Sequence, residues 1–284
     1  MKSLIINADD CGLSEEINQA VEICYRAGSI TGVSIMSPGA CFQPAARMLR
    51  NTGKTDVGVH LTLTGNLPPC AEDRAGVGTL LGRNGKFLPD YKSFGSRYLL
   101  RGIRQDQVYR ELKAQIEQIL EQGLSITHLD SHEHVHVFPG VFKVTLKLAE
   151  EFNIPYIRIP RENLSVITRS FSIKDLMRYA GLNGLAASAG ARISRSGRKY
   201  NNAFWGHFHS GRIDDDILCF IMENLGQGVN ELAVHPAVAS REFLEEFPWH
   251  RNARKELGAL MDGRWKTCLD PGDVRLVSHR QAAA

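Results

Sequence analysis

The order of the predicted strands and helices constrains the fold of this chain more than any single motif does. Short apolar segments typical of strands alternate with amphipathic segments typical of helices at least six times along the 284 residues. This alternation predicts a largely parallel sheet whose helices cross from one strand to the next. The fold class is therefore α/β, and a chain of this length is expected to form a single domain, residues 1–284.

The individual elements are predicted from hydrophobic periodicity, helix caps and turn residues. The predicted strands cover residues 4–8, 31–36, 56–63, 126–130, 156–159 and 231–234, with a short last strand near Val274. The predicted helices cover residues 15–27, 45–50, 106–122, 139–152, 175–193, 214–225 and 250–261. The Gly- and Pro-rich stretch 65–90 is predicted to be a long functional or disordered loop, and the tail 280–284 is predicted to be frayed.

Chemically reactive side chains lie at the ends of several predicted strands. Asp9 and Asp10 end the first strand, His60 lies in the third, and His235 follows a late strand. The fourth strand leads into HLDSHEHVH at 128–136, which holds four of the chain's ten histidines. Because the carboxyl ends of parallel strands meet at one mouth of a β/α barrel, these side chains are expected to converge there.

Histidine and carboxylate side chains in this arrangement are typical of a metal site. Asp9 and Asp10 would repel each other at the end of a buried strand unless a cation or a proton lies between them. Strand alternation places His60 on a face of small and polar residues, which suits a barrel interior. The alternatives are an Asx-type turn at the aspartates, a core histidine at position 60 and a solvated polar loop at 128–136.

The histidine-rich run contains more donors than one ion needs, because a catalytic metal site keeps about three protein ligands and an open position for water. The histidines left over are expected to support the ligands, contact substrate or lie in the core. His235 is well placed to act as a general acid, and a structural histidine is the alternative interpretation.

Composition disfavours several classes of function. The net charge of +3 is too small to predict a nucleic-acid partner, and no apolar run approaches the ~18 residues of a transmembrane helix. The first apolar run is too short for a signal peptide, so a cytoplasmic location is expected. Nucleotide-binding folds are disfavoured because neither GxGxxG nor GxxxxGK(S/T) follows the first strand.

The six cysteines show no CxxC spacing, which argues against a disulfide scaffold, and most are expected to be small core residues.

Several segments, taken together and in order, resemble one known family over nearly the whole chain. The segments are NADDCGLS at 7–14, VGVHLTLT at 57–64, THLDSHEHVHVFP at 127–139, YIRIP at 156–160 and ELAVHPA at 231–237, followed by a charged stretch at 254–257. They resemble the YdjC-type carbohydrate deacetylases, the family of chitooligosaccharide deacetylase. PREN at 160–163 and AFWGHFHSG at 203–211 resemble its hopanoid-associated branch, whose members act on N-acetylglucosaminyl hopanoids.

The resemblance implies a distorted TIM-like β/α barrel that holds one divalent cation. Carried over by motif, the metal ligands would be Asp10, His60 and His132. Two imidazoles and one carboxylate suit Zn²⁺ or a similar transition ion, and Mg²⁺ is less natural for imidazole but stays an alternative. The family usually has Phe at the position of Cys11, which is not expected to bind the metal.

The resemblance also implies catalytic roles for three residues. Asp9 would be the base, Arg158 would orient or pair with it, and His235 would be the acid. Trp205 or Phe204 is a candidate to stack on the sugar ring, although an aromatic stretch is more often part of the core, and the 65–90 loop is a candidate to cover the sugar.

The expected activity is metal-dependent hydrolysis of the N-acetyl group of an N-acetylglucosamine-containing carbohydrate or glycolipid. The partner is accordingly an N-acetylated amino sugar, and the sequence leaves open whether the chain forms a homodimer. One alternative is a metal-dependent phosphoesterase or amidohydrolase on a similar barrel, although their HxH motif would normally lie on the first strand. A second alternative is a non-catalytic sugar-binding protein on the same scaffold.

Overall fold

Parallel strands form one curled sheet in the computed structural model, which describes residues 1–53, 56–162, 173–269 and 272–284. The strands are β1 (Lys2–Cys11), β2 (Gly32–Ile35), β3 (Val57–Leu61), β4 (Ile126–Ser131), β5 (Tyr156–Ile157), β6 (Ala203–Trp205), β7 (Gly228–Val234) and β8 (Val274–Leu276). Their order is β5-β4-β3-β2-β1-β7-β6, and β8 pairs with the first residues of β1. Every strand pair is parallel, as the alternation of strands and helices predicts.

Helices follow most of the strands and cover the outside of the sheet. They are α1 (Glu15–Arg26), α2 (Phe42–Thr52), α3 (Tyr91–Leu99), α4 (Gln105–Glu121), α5 (Pro139–Glu151), α6 (Ile173–Ile193), α7 (Asp215–Glu223), α8 (Arg241–Glu246), α9 (Ala253–Asp262), α10 (Arg264–Thr267) and α11 (His279–Ala283). The 3₁₀ helices of the described residues lie at Ala75–Leu80, His132–Val137 and Pro248–His250. Among the described residues, no helix combines the length and the apolar character that crossing a bilayer requires.

The two edge strands of the sheet are joined by irregular backbone rather than by a full ladder. Tyr156 and Glu162 form isolated parallel bridges with Lys199 and Phe204. Between these bridges, the Asn201 side chain accepts the N–H of Ile159 and donates to the carbonyl of the same residue, at 2.8 and 2.7 Å. These contacts bring β5 and β6 together around a closed interior, which confirms the predicted distorted barrel.

Some elements differ from the prediction, because contacts with distant parts of the chain determine which helices and strands form. The strand β6 and the helix α3 were not predicted, and a 3₁₀ helix lies inside the predicted 65–90 loop. The tail is helical instead of frayed, because Ser278 and Gln281 form a capping box and the side chain of His279 is buried against Asp56. Asn163, the last residue of the PREN segment, lies outside the described residues.

Two of the six cysteines form a disulfide, and the other four are free. Cys219 and Cys268, which are 49 residues apart, form a disulfide that links α7 to the residue after α10. Cys11 and Cys24 are free and buried, as expected for small core residues, whereas Cys41 and Cys70 are half-buried. The expectation that most cysteines are core residues is therefore wrong, because only Cys11 and Cys24 are buried. A spacing of 49 residues does not reveal the bonded pair.

The barrel interior is filled by side chains of alternate strand residues, and its tightest approach lies between β3 and β4. Gly58 and His128 pair across these strands, and a Cβ atom added to Gly58 would lie 2.1 Å from His128 Nε2. Both partners face inward, so the glycine provides the space that the imidazole occupies.

We predict that Gly58→Ala lowers the free energy of unfolding by about 1–3 kcal/mol or more, because the new methyl group overpacks the interior. The matched control is Gly78→Ala, since no atom lies within 4 Å of a Cβ added there. Urea unfolding followed by circular dichroism measures both variants. Equal stability of the two variants would contradict the tight packing of His128 against β3.

Candidate metal centre at the mouth of the barrel

An irregularity in β1 places two consecutive carboxylates at the same mouth of the barrel. Successive side chains of a regular strand point to opposite faces. The β1–β2 register shifts between Ala8 and Cys11, and Asp10 adopts a left-handed conformation with φ 62°. As a result, Asp9 and Asp10 both point into the cavity at this end of the barrel. Such a backbone conformation costs about 1–3 kcal/mol and is typical of functional sites.

Three histidines surround the carboxylate of Asp10. His132 Nδ1 lies 3.0 Å and His60 Nε2 lies 3.2 Å from Asp10 Oδ1, while His250 Nε2 lies 3.3 Å from Oδ2. Burial alone would raise the pKa of Asp10, but the charge of His132 and hydrogen bonds from all three histidines hold it well below its ordinary value. Ligand atoms of Asp10, His60 and His132 all lie within 4.8 Å of one another.

Asp130 fixes the orientation of His60. Its Oδ1 lies 2.9 Å from His60 Nδ1, so that Nε2 of the ring faces Asp10. The second oxygen of Asp130 accepts a hydrogen bond from Ser34 Oγ at 2.7 Å and lies 2.8 Å from Arg158 Nη2. Burial lowers the pKa of His60, but Asp130 and Asp9 raise it to about 10. Histidine ligands in metalloproteins are commonly oriented by a carboxylate on the other ring nitrogen in this way.

Two imidazoles and one carboxylate at this spacing fit a divalent cation, and zinc suits them best. Two further groups of acidic and histidine side chains lie within reach of a common ion: Asp56–His128–His279 and Asp9–His60–Asp130. The His128 and His279 rings stack at 3.4 Å with an interplanar angle of 13°, so their in-plane lone pairs do not converge on one point. Arg158 already supplies a cation to Asp9 and Asp130. The Asp10 group is therefore the best candidate metal centre among the described residues.

Arg158 holds Asp9 through two parallel hydrogen bonds. Its Nη1 and Nη2 donate to Asp9 Oδ2 and Oδ1 at 2.6 and 2.9 Å, and Asn7 Nδ2 donates to Oδ1 at 2.7 Å. The Nε of Arg158 donates to Glu231 Oε1 at 2.6 Å. Arg158 is completely buried, and it occupies the barrel interior beneath the predicted base.

His235 lies at the end of β7 and lines the same cavity. Burial lowers its pKa, and the charges of Asp10 and Asp9 only partly compensate, so the imidazole is neutral at pH 7. Its backbone N–H donates to Glu256 Oε1 at 2.7 Å. Burial raises the pKa of Glu256 to about 8, despite that hydrogen bond.

A cavity of about 970 Å³ opens above these groups. Asp9, Asp10, His60, His132 and His235 all line it, so the structure brings five of the six predicted site residues to one surface, and Arg158 supports them from below. The cavity also has an apolar wall, which includes Tyr98, Leu99, Val137, Phe138, Leu182 and Leu185.

Of the two candidates for stacking on the sugar, Trp205 is a core residue. Its side chain is fully buried and does not line the cavity, because Nε1 points to Asn230 Oδ1 at 3.3 Å. Phe204 does line the cavity, and so does the half-exposed Trp249, which the sequence analysis missed. Of the 65–90 loop, only the two ends contribute to the cavity lining, through Gly65 and through residues 89–90.

The remaining members of the histidine-rich run have separate positions. His128 stacks inside the barrel, and His136 contacts Ser131 Oγ and the carbonyl oxygen of Arg158. His134 lines the cavity, and its Nδ1 has no hydrogen-bond partner among the residues that the structure describes. Cys11 packs in the core with its thiol 3.6 Å from Asn18 Oδ1.

Residues 3–270 match the YdjC-like protein family. This chain belongs to that family. A carbohydrate deacetylase of Brevibacillus brevis is 34% identical over 173 residues, which cover 58% of this chain and 65% of the relative. The chain thus spans slightly less than two thirds of that relative. Carbohydrate deacetylase 1 of Listeria innocua is 33% identical over 279 residues and is matched over 98% of both chains.

The barrel also resembles a solved structure. A protein of Enterococcus faecalis described as a cellobiose-phosphate cleavage protein superimposes with a TM-score of 0.80 at 23% sequence identity. The superposition covers 100% of this chain and 99% of the other chain. At this identity the likeness shows that the two proteins share a fold.

We predict that Glu256→Gln reduces the pH dependence of folding stability. The folded pKa of Glu256, about 8, lies above its ordinary value of 4.5, so the folded protein binds the proton more tightly than the unfolded chain does. Stability therefore falls as pH rises from 4.5 to 8, by on the order of 3 kcal/mol at pH 7. Glutamine cannot ionise, but its oxygen can still accept the His235 N–H.

Urea unfolding at pH 5, 6, 7 and 8 measures this effect, with Glu242→Gln as the control because Glu242 is exposed. The stability of Glu256→Gln relative to wild type is expected to increase with pH, and that of the control is expected to stay constant. A constant difference for Glu256→Gln would show that this carboxyl group titrates normally.

Proposed function

We propose that this protein is a metal-dependent hydrolase that removes the N-acetyl group from an N-acetylglucosamine unit of a carbohydrate or glycolipid. The observation that carries the proposal is the pair of adjacent aspartates at one cavity, of which Asp9 is held by Arg158 and Asp10 lies among histidines. The carbohydrate deacetylases among the family relatives support the same reaction class.

Asp10, His60 and His132 would hold the cation. When bound, the cation supplies Lewis-acid polarisation of the acetamide carbonyl and makes a bound water more acidic. Zinc is the ion that these donors favour, with magnesium as the less suitable alternative.

Asp9 acts as the base that accepts a proton from the attacking water. Arg158 occupies one side of its carboxylate and fixes the orientation, while Oδ2, which accepts one hydrogen bond, keeps lone-pair capacity for a second. A base that is held in one geometry transfers protons efficiently, because positioning precedes the chemical step. Arg158 is accordingly a positioning residue in this proposal.

His235 acts as the acid that protonates the departing nitrogen, since an amine anion is too poor a leaving group. Its lowered pKa means that it is neutral before the reaction. We therefore propose that it receives the proton that Asp9 removes from the water and passes it to the leaving nitrogen as the C–N bond breaks, so that Asp9 and His235 both return to their starting states. Acid and base are then two groups with different environments, as acid–base catalysis requires.

The cavity favours a substrate that carries an apolar group beside the sugar. Its apolar wall offers no hydrogen-bonding partner for a second sugar along Val137, Leu182 and Leu185, whereas a hydrocarbon aglycone would bury those side chains. Trp249 provides a ring face for the sugar itself. A glycolipid is therefore the preferred substrate class, and a free oligosaccharide is the alternative.

A phosphoesterase is disfavoured by the charge of the same lining. The lining includes the acidic residues Asp9, Asp10, Asp90 and Glu133 and one arginine, Arg178, while Glu256 is protonated at neutral pH. A phosphate dianion is normally bound by several cationic groups or by two metal ions. An acetamide is neutral, so this lining does not repel it.

Removal of the central carboxylate is expected to abolish metal binding. Wild-type protein reloaded with Zn²⁺ and dialysed should retain about one equivalent, and Asp10→Ala should retain a small fraction of it, because the only anionic ligand of the proposed site is lost. Elemental analysis by mass spectrometry measures both. Asp262→Ala is the control, since Asp262 is exposed. Equal zinc in Asp10→Ala and wild type would place the metal elsewhere.

Asp9→Asn is expected to lower kcat/KM for acetate release at least about 100-fold, because the amide cannot accept the water proton. Zinc content should stay unchanged, since Asp9 is not a proposed ligand. The assay compares N-acetylglucosamine oligosaccharides with an N-acetylglucosaminyl lipid, and Asp262→Asn is the control. The proposal expects the lipid to be the better substrate.

The deacetylase proposal fails if zinc-loaded wild type releases no acetate from either substrate. Release of inorganic phosphate from phosphate esters would then favour the phosphoesterase. Sugar binding without any product would favour a non-catalytic role.

A further inference from the structure

The C-terminal helix α11 reaches into the barrel from the end opposite to the cavity. Its first residue, His279, contacts Asp56, which immediately precedes β3 and therefore lies at the amino ends of the strands. His279 is completely buried although it lies five residues from the end of the sequence. It also lies outside the family match at residues 3–270.

His279 lies between two buried carboxylates. Its Nδ1 is 2.7 Å from Asp56 Oδ2, and its Nε2 is 3.3 Å from Glu231 Oε1. The remaining groups that face the ring are His128, which stacks on it at 3.4 Å, and Tyr156, whose ring lies 4.9 Å away and whose hydroxyl donates to Glu231 Oε2 at 3.0 Å. Both ring nitrogens therefore have an acidic partner.

The protonation states of this group follow from its charges. Burial lowers the pKa of His279, but Glu231 and Asp56 raise it to about 9, so the ring is a cation at neutral pH. His128 next to it is neutral, because burial and the charge of His279 lower its pKa to about 3. Glu231 is ionised, since Arg158 and His279 outweigh burial and lower its pKa to about 2.

Glu231 connects His279 to the proposed base. The same oxygen, Oε1, that lies 3.3 Å from His279 accepts the Nε–H of Arg158 at 2.6 Å. With Nε occupied in this way, both terminal nitrogens of the guanidinium point to Asp9. A guanidinium is a rigid planar fork, so fixing Nε fixes the direction of the other two nitrogens.

We propose that His279 is a positioning residue for catalysis, which holds Glu231 so that Arg158 presents both terminal nitrogens to Asp9. The inference rests on the proposed function, in which Asp9 is the base. Without the imidazolium, Glu231 would keep Arg158 as its one cationic partner and Tyr156 as a neutral donor, and its carboxylate could shift toward the space that His279 leaves. Arg158 would then lose the fixed Nε contact, and Asp9 would lose its fixed orientation.

A purely structural role for His279, in which its side chain only fills the end of the barrel, makes a different prediction. Loss of such a side chain lowers the stability of the fold but leaves kcat of the folded molecules unchanged. Loss of a positioning residue lowers kcat and leaves KM nearly constant, because Asp9 takes part in the chemical step and the apolar substrate wall is untouched. Replacement of such supporting groups typically costs about 10–100-fold.

The experiment measures kcat and KM for acetate release by zinc-loaded wild type, His279→Gln, His279→Ala with and without added imidazole, and Glu231→Gln. Arg280→Ala is the matched control, because it changes the next residue of the same helix and its contact with Asp56 uses the backbone N–H. In parallel, ¹⁵N NMR follows solvent exchange of the Arg158 Nε–H, which is assigned from its absence in Arg158→Lys.

We expect a 10–100-fold lower kcat with KM changed less than about threefold in His279→Gln and Glu231→Gln, and faster exchange of the Arg158 Nε–H in both. Imidazole should restore part of kcat in His279→Ala. A wild-type kcat in folded His279→Gln or in Glu231→Gln overturns the proposal, and so does an unchanged exchange rate. If wild type itself releases no acetate, the proposed function fails, and the exchange measurement still decides whether His279 positions Arg158.

Discussion

The buried guanidinium of Arg158 is the interaction on which the rest of this site depends. It follows β5 and contacts carboxylates from β1, β4 and β7, namely Asp9, Asp130 and Glu231. A buried charge is tolerated only when partners and hydrogen bonds compensate its lost hydration, and removing one partner typically costs about 3–5 kcal/mol. Strands that are distant in the chain are therefore held together through a single side chain, which also fixes the orientation of Asp9, the proposed base.

The candidate metal centre is connected to Arg158 through Asp130. Asp130 contacts Arg158 with one oxygen and His60 with the other, so the ion network and the metal ligands share a carboxylate. Because Asp10 has a left-handed conformation, the two adjacent aspartates face different groups. Asp9 faces Arg158, and Asp10 faces histidines. In the proposed function, one carboxylate serves proton transfer and the other holds the cation.

The sequence predicted the residues at strand ends, because in a parallel barrel those positions converge whatever the helices do. Asp9, Asp10, His60, His132 and His235 reach the cavity for that reason. Other contacts depend on distant segments that no spacing reveals. His250 approaches Asp10 only because the segment after α8 folds back over the mouth, and the buried side chain of Trp205 faces Asn230 instead of the cavity. The burial of His279 follows from carboxylates in β7 and before β3, so a short C-terminal segment with ordinary composition gave no sign of it.

Anomalous X-ray scattering from crystals grown with zinc tests the central claim most directly. The account predicts one strong anomalous peak at the zinc edge among Asp10, His60 and His132, with Arg158 still paired to Asp9. A peak between Asp56, His128 and His279, or a zinc-saturated protein without a peak at Asp10, would contradict it.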